Sequence, residues 1–226
     1  MLNLFVVFFS IIGLAQNPEQ YFGADYCEAK RMSQSNSAAF SRVVTGRQKA
    51  EIMAVAFPEL IRFSRFQNFF ETSALEILYV KQGAKAADFS IGPYQIKPSF
   101  AELIENYTDT AKSLQRYKSY LKYKPTNIQQ VRSERIKRLS SVNWQIIYLS
   151  IFYKILNNKF PELINLSANE RVAFMASAYN HGFMHSFDEI KKWQSQKTFP
   201  YGTSQQNNPF AYSEVSLYYY KSIINY

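Results

Sequence analysis

Trp144–Asn157 reads WQIIYLSIFYKILN. On a helical wheel its apolar residues leave no wide polar face, so the stretch predicts a helix buried at the centre of an all-α core. The neighbouring segments repeat the helical period. Arg47–Ser64 (RQKAEIMAVAFPELIRFS) places Ile52, Val55, Ala56, Leu60 and Phe63 at three- and four-residue spacings. Pro58 inside it predicts a kink or an end to its regular part. Four capping boxes mark helix starts: Ser73-Ala74-Leu75-Glu76, Ser99-Phe100-Ala101-Glu102, Ser167-Ala168-Asn169-Glu170 and Ser186-Phe187-Asp188-Glu189. Gly83 supplies a helix stop, and Phe210–Ile224 closes the chain with an aromatic stripe. Thr198–Pro209 (TFPYGTSQQNNP) reads as the clearest loop. The expectation is an all-α domain of about eight helices, without a hairpin or an internal repeat.

Composition agrees. The chain has 226 residues, enough for one domain with a full core. Its 7 glycines are about half the usual ~7%, which disfavours a turn-rich β fold. Neither Gly-rich phosphate-binding motif occurs. With 26 Lys+Arg against 17 Asp+Glu, the net charge of +9 points to acidic polymers as partners. Much of it lies in Lys112–Arg138, where bases alternate with Tyr. That segment reads as a solvated helix pair, with no nucleic-acid motif and no nucleic-acid partner expected.

Met1–Leu14 (MLNLFVVFFSIIGL) carries no charged side chain and is too short to span a bilayer. With Gly13-Leu14-Ala15 after the apolar run, residues 1–15 read as a signal peptide. Residues 16–226 then form a single exported domain with no membrane span after cleavage, its core spanning 47–224. Cys27, the sole cysteine, has no internal disulfide partner and reads as a small buried hydrophobe.

Three segments carry candidate chemistry. They are Ala54-Val55-Ala56-Phe57-Pro58-Glu59, Phe89-Ser90-Ile91-Gly92-Pro93-Tyr94-Gln95-Ile96-Lys97-Pro98-Ser99, and Ala176-Ser177-Ala178-Tyr179-Asn180-His181-Gly182. In that order they resemble the lytic transglycosylases of the lysozyme superfamily. Those enzymes carry a helix ending in a catalytic Glu, a Gly-Leu-Met-Gln segment leading to Pro-Ser/Thr, and Ala-Tyr-Asn-Ala-Gly. Val142–Leu149 fits the family helix between the last two, and Ala211-Tyr212-Ser213-Glu214-Val215 loosely matches its closing helix. The resemblance covers Arg47 to Ile224.

It implies a lysozyme-like helical domain that cleaves peptidoglycan glycan strands in the periplasm or cell envelope. Glu59 is the implied general acid, although Leu60 follows it where the family has Ser, and it precedes Gly92 by 33 residues, a longer separation than the family's. An inserted helix, Ser73–Gln82, accounts for the excess; the alternative acid is Glu71, followed by Thr72. Gly92, Tyr94, Gln95, Tyr179 and Asn180 are the implied substrate-binding residues. A transglycosylase needs one carboxylate, whereas a hydrolytic muramidase would use a second, with Glu71 and Asp88 as candidates. Asp88 equally suits a cap on the turn before Gly92. A catalytically silent glycan-binding scaffold is the third reading. No cofactor is implied. His181 and His185 are four apart, but Gly182 and the helix end between them argue against a metal site.

Overall fold

A computed structural model describes residues 17–66 and 73–224. The leader and Glu71 lie outside the described residues. Among the described residues twelve α-helices follow one another: α1 Pro18–Phe22, α2 Ala24–Ser35, α3 Ser37–Val43, α4 Gly46–Phe66, α5 Ser73–Gln82, α6 Pro98–Thr110, α7 Gln115–Leu121, α8 Ile128–Leu139, α9 Val142–Lys159, α10 Ala168–His181, α11 Phe187–Trp193 and α12 Tyr212–Ile224. The all-α expectation holds. The additional helices come largely from the segment before Arg47, where α1 and α3 have only 5 and 7 residues, too few to show a period. Asn17 caps α1, and Phe22, Tyr26 and Phe40 are buried in the main core, which therefore extends upstream of Arg47.

Helix α4 is the hub. It packs against α2, α9, α10 and α12, and every residue from Glu51 to Ile61 is buried. Pro58 does not end it; the helix runs on to Phe66. Proline removes one backbone hydrogen bond, and burial on all sides of this turn holds the helix across the gap. Helix α9 is the second spine. Ile146, Leu149, Ile155 and Leu156 are fully buried, each contributing roughly 1.5–3 kcal/mol of hydrophobic stabilisation.

Two of the four expected capping boxes form, at Ser167 and Ser186. At α6 the expectation fails. Pro98 opens the helix, and the Ser99 N–H and hydroxyl both donate to Asp88, at 3.0 and 2.8 Å. Glu102 turns instead to Tyr79 and Arg135. The 198–209 loop is in fact clasped by two short antiparallel strands, β1 Lys197–Phe199 and β2 Phe210–Ala211, a hairpin absent from the sequence reading. Strands of 3 and 2 residues give too little alternation to detect. Cys27 is exposed, not buried. No helix among the described residues is long and apolar enough to cross a membrane.

Candidate active site

The turn Gly92–Gln95 organises the site. The Ile91 and Ile96 backbones pair in both directions at 3.1 and 3.2 Å, closing a tight antiparallel turn. Gly92 sits at φ +65°, and a Cβ there would collide with the Gln145 amide. Glycine is required twice over, for the left-handed backbone and for this close approach. Gln145, fully buried on α9, donates to the Ile91 and Leu139 carbonyls at 2.6 and 2.7 Å and accepts from the Tyr94 N–H at 3.0 Å. The Tyr179 hydroxyl donates to the Tyr94 carbonyl at 2.8 Å. Both polar groups of Tyr94's backbone are thus held by side chains from α9 and α10.

The Tyr94 side chain is buried and its hydroxyl accepts from Asn36 at 3.2 Å. Neither Gly92 nor Tyr94, both expected to bind substrate, is among the residues lining the cleft described next; they build the turn that presents Gln95. Gln95 is the residue the turn presents. It is the one non-glycine residue at positive φ among those described, at +52°, and its Nε2 donates back to the Gly92 carbonyl at 2.8 Å. A left-handed backbone at a non-glycine residue is a strained position characteristic of functional sites.

Gln95, Glu59, Tyr179 and Asn180 all line one cleft of about 520 Å³. Three separate sequence segments therefore converge. Asn180 accepts from Trp193 Nε1 at 3.1 Å and Thr198 Oγ1 at 3.3 Å, tying α11 and β1 to the end of α10. Its amide nitrogen makes no hydrogen bond among the described residues and is free to donate into the cleft. His181 stacks flat between His185 and Trp193, with centroids 4.1 and 3.8 Å apart. Stacked faces do not aim ring nitrogens at a shared ion.

Glu59 is 6% exposed. Its Oε1 accepts from Arg62 Nη1 at 2.9 Å, and Oε2 accepts no hydrogen bond among the described residues. Burial pushes the carboxyl above the ordinary glutamate value, against the opposing charges of Arg62 and Lys97. The buried Tyr212 hydroxyl lies near this carboxyl but makes no hydrogen bond of good geometry among the described residues. Arg62 is fixed by the Pro200 carbonyl at 3.0 Å and lies over the Phe199 ring at 4.9 Å.

No family model, curated protein or solved structure matches this chain. The chemistry of the cleft is what remains to be read. Among the described residues its lining holds two carboxylates, Glu59 and Asp88. Asp88 is occupied as the cap of α6, both oxygens accepting from Ser99. Of the two, Glu59 combines burial, an oxygen without a hydrogen-bond donor among the described residues and a pKa that burial raises. This arrangement can deliver one proton to a bound molecule and then hold the resulting carboxylate against Arg62.

Sequence reasoning missed Arg62, Gln145 and Trp193. Gln145 carried a signal, an amide inside the first turns of a largely apolar helix. Arg62 carried another, a cation three residues from Glu59 on a helix buried along most of its length. Trp193 becomes part of the site only because α11 folds back on α10.

Proposed function

We propose that this protein is an exported enzyme that cleaves peptidoglycan glycan strands at the MurNAc–GlcNAc bond, as a lytic transglycosylase. One observation supports the reading: a buried Glu59 with a raised pKa in a cleft whose other carboxylate among the described residues, Asp88, is already engaged. A single acid–base group suffices for transglycosylation, whereas inverting and retaining hydrolysis ordinarily use two carboxylates.

In this reading the Glu59 proton passes to the glycosidic oxygen as the C1–O bond breaks. The carbonyl oxygen of the sugar's own N-acetyl group attacks C1 and closes a charged oxazoline ring. The Glu59 carboxylate, steadied by Arg62, then takes the proton of the 6-hydroxyl. That oxygen attacks C1 and reopens the ring, giving a 1,6-anhydro sugar and returning the proton to Glu59. Water takes no part. The Asn180 amide nitrogen is the cleft donor suited to orient the N-acetyl carbonyl. The Tyr179 hydroxyl has its proton committed to Tyr94 and can only accept.

Digestion of purified sacculi followed by mass spectrometry tests the proposal. Anhydro ends are expected. Reducing ends would replace it with the muramidase reading. Intact glycan that still retains the protein would replace it with a binding scaffold.

A further inference from the structure

Away from the cleft, α3, the start of α4, α7 and α9 border a second, open cavity of about 470 Å³. It shares no lining residue with the cleft. Its walls carry Arg42, Arg116 and Lys154, and Lys49 reaches one wall residue, donating to Ser41 Oγ at 2.8 Å. None of these four cations pairs with a carboxylate among the described residues, and no acidic residue lines the cavity. By contrast, Arg135 meets Glu102 and Glu105, and Arg171 meets Glu51.

The cations here are positioned as well as unpaired. Arg116 donates one nitrogen to the Tyr117 hydroxyl at 2.8 Å and stacks on that ring at 4.7 Å, which leaves its other N–H groups to a ligand. Lys154 is anchored by Gln48 at 2.8 Å. Burial, and then the charge of Arg116, hold its ammonium below the ordinary lysine range. An uncompensated pair of this kind is relieved by a bound anion. Tyr120, 65% exposed, adds a flat ring at the rim.

We propose that this cavity binds a phosphorylated sugar, the phosphate among Arg42, Arg116 and Lys154 and the sugar ring against Tyr120. Several cations lining one cavity suit a dianion better than a single carboxylate. The volume lies within the ~300–1,000 Å³ of small-molecule sites. The proposal stands whether or not the cleft cleaves glycan.

Isothermal titration of the full chain with glucosamine 6-phosphate, glucosamine and inorganic phosphate tests it. Binding is expected for glucosamine 6-phosphate, weaker binding for inorganic phosphate, and none for glucosamine. Arg116→Gln and Lys154→Gln should each weaken the sugar phosphate by roughly tenfold or more, the loss of one charged donor. Arg116 is exposed, so its variant keeps the fold even if the Lys154 variant does not. Glucosamine 6-phosphate that fails to bind, or that binds Arg116→Gln as tightly as the native chain, overturns the proposal. Equal affinity for inorganic phosphate overturns its sugar half. An oligothymidylate that displaces the sugar phosphate and binds more tightly through Arg116 would reassign the site to nucleic acid.

Discussion

Glu51 and Glu59 lie 8 residues apart on α4, both buried and both paired with an arginine. Their surroundings differ in one respect. Glu51 is completely enclosed, and each oxygen has its own donor, Arg171 at 2.5 Å and Tyr153 at 2.7 Å. Glu59 has one donor, one open oxygen and a cleft in front of it. A saturated buried carboxylate joins helices; an undersatisfied one at a cleft can exchange a proton. Burial alone therefore does not mark an acid–base group.

The largest test of this contrast is Glu59→Gln. Glycan cleavage should fall at least ~10²–10⁴-fold while the circular dichroism of the folded chain is kept. Full activity in the variant would break the contrast and direct attention to Glu71. Stability sharpens the same test. The folded-state pKa of Glu59 lies above its unfolded value, so its contribution is fully present below the unfolded pKa. That contribution is lost as pH rises through the folded pKa. Urea unfolding should show the variant gaining on the native chain as pH rises from the ordinary glutamate value of 4.5.

Glu51→Gln should do the reverse. It leaves Arg171 without its counter-charge and should cost about 3 kcal/mol in urea unfolding. Whatever variant survives folded should retain its activity. A Glu51 variant as stable as the native chain but inactive would interchange the two roles.

Arg62→Met comes next. Arg62 holds the Glu59 pKa down, so its removal lets burial raise that pKa further. The alkaline limb of kcat/KM should move to higher pH, with maximal activity reduced through lost support of the carboxylate. An unmoved limb would mean that another group titrates. The smallest effect is expected for Tyr212→Phe, which deletes a buried hydroxyl without a hydrogen-bond partner. Thermal or urea unfolding should show stability held or raised by up to about 1 kcal/mol.

The helical elements that define the fold were legible because their signals are local and long. The period of Arg47–Ser64 and the unbroken apolar character of Trp144–Asn157 correspond to α4 and α9. The boxes at Ser167 and Ser186 formed because nothing distant competes for those serines. The box at Ser99 failed because Asp88, 11 residues earlier, reaches the same donors. The hairpin, α1 and α3 were too short to carry a period.

From the residues themselves came the helical class, the glycine needed at position 92 and the order of three segments with acid, amide and hydroxyl groups. Their convergence on one cleft was decided by the tertiary structure. So were the place of Gly92 and Tyr94 behind Gln95, the binding of Asp88 to a helix start, and the placing of Tyr212 beside Glu59. The physical reason is range. Propensity, period and capping act over a few residues and are written in neighbouring letters. A pKa, a free lone pair and a cleft depend on burial and on donors from distant parts of the chain, and these exist only once the helices have packed.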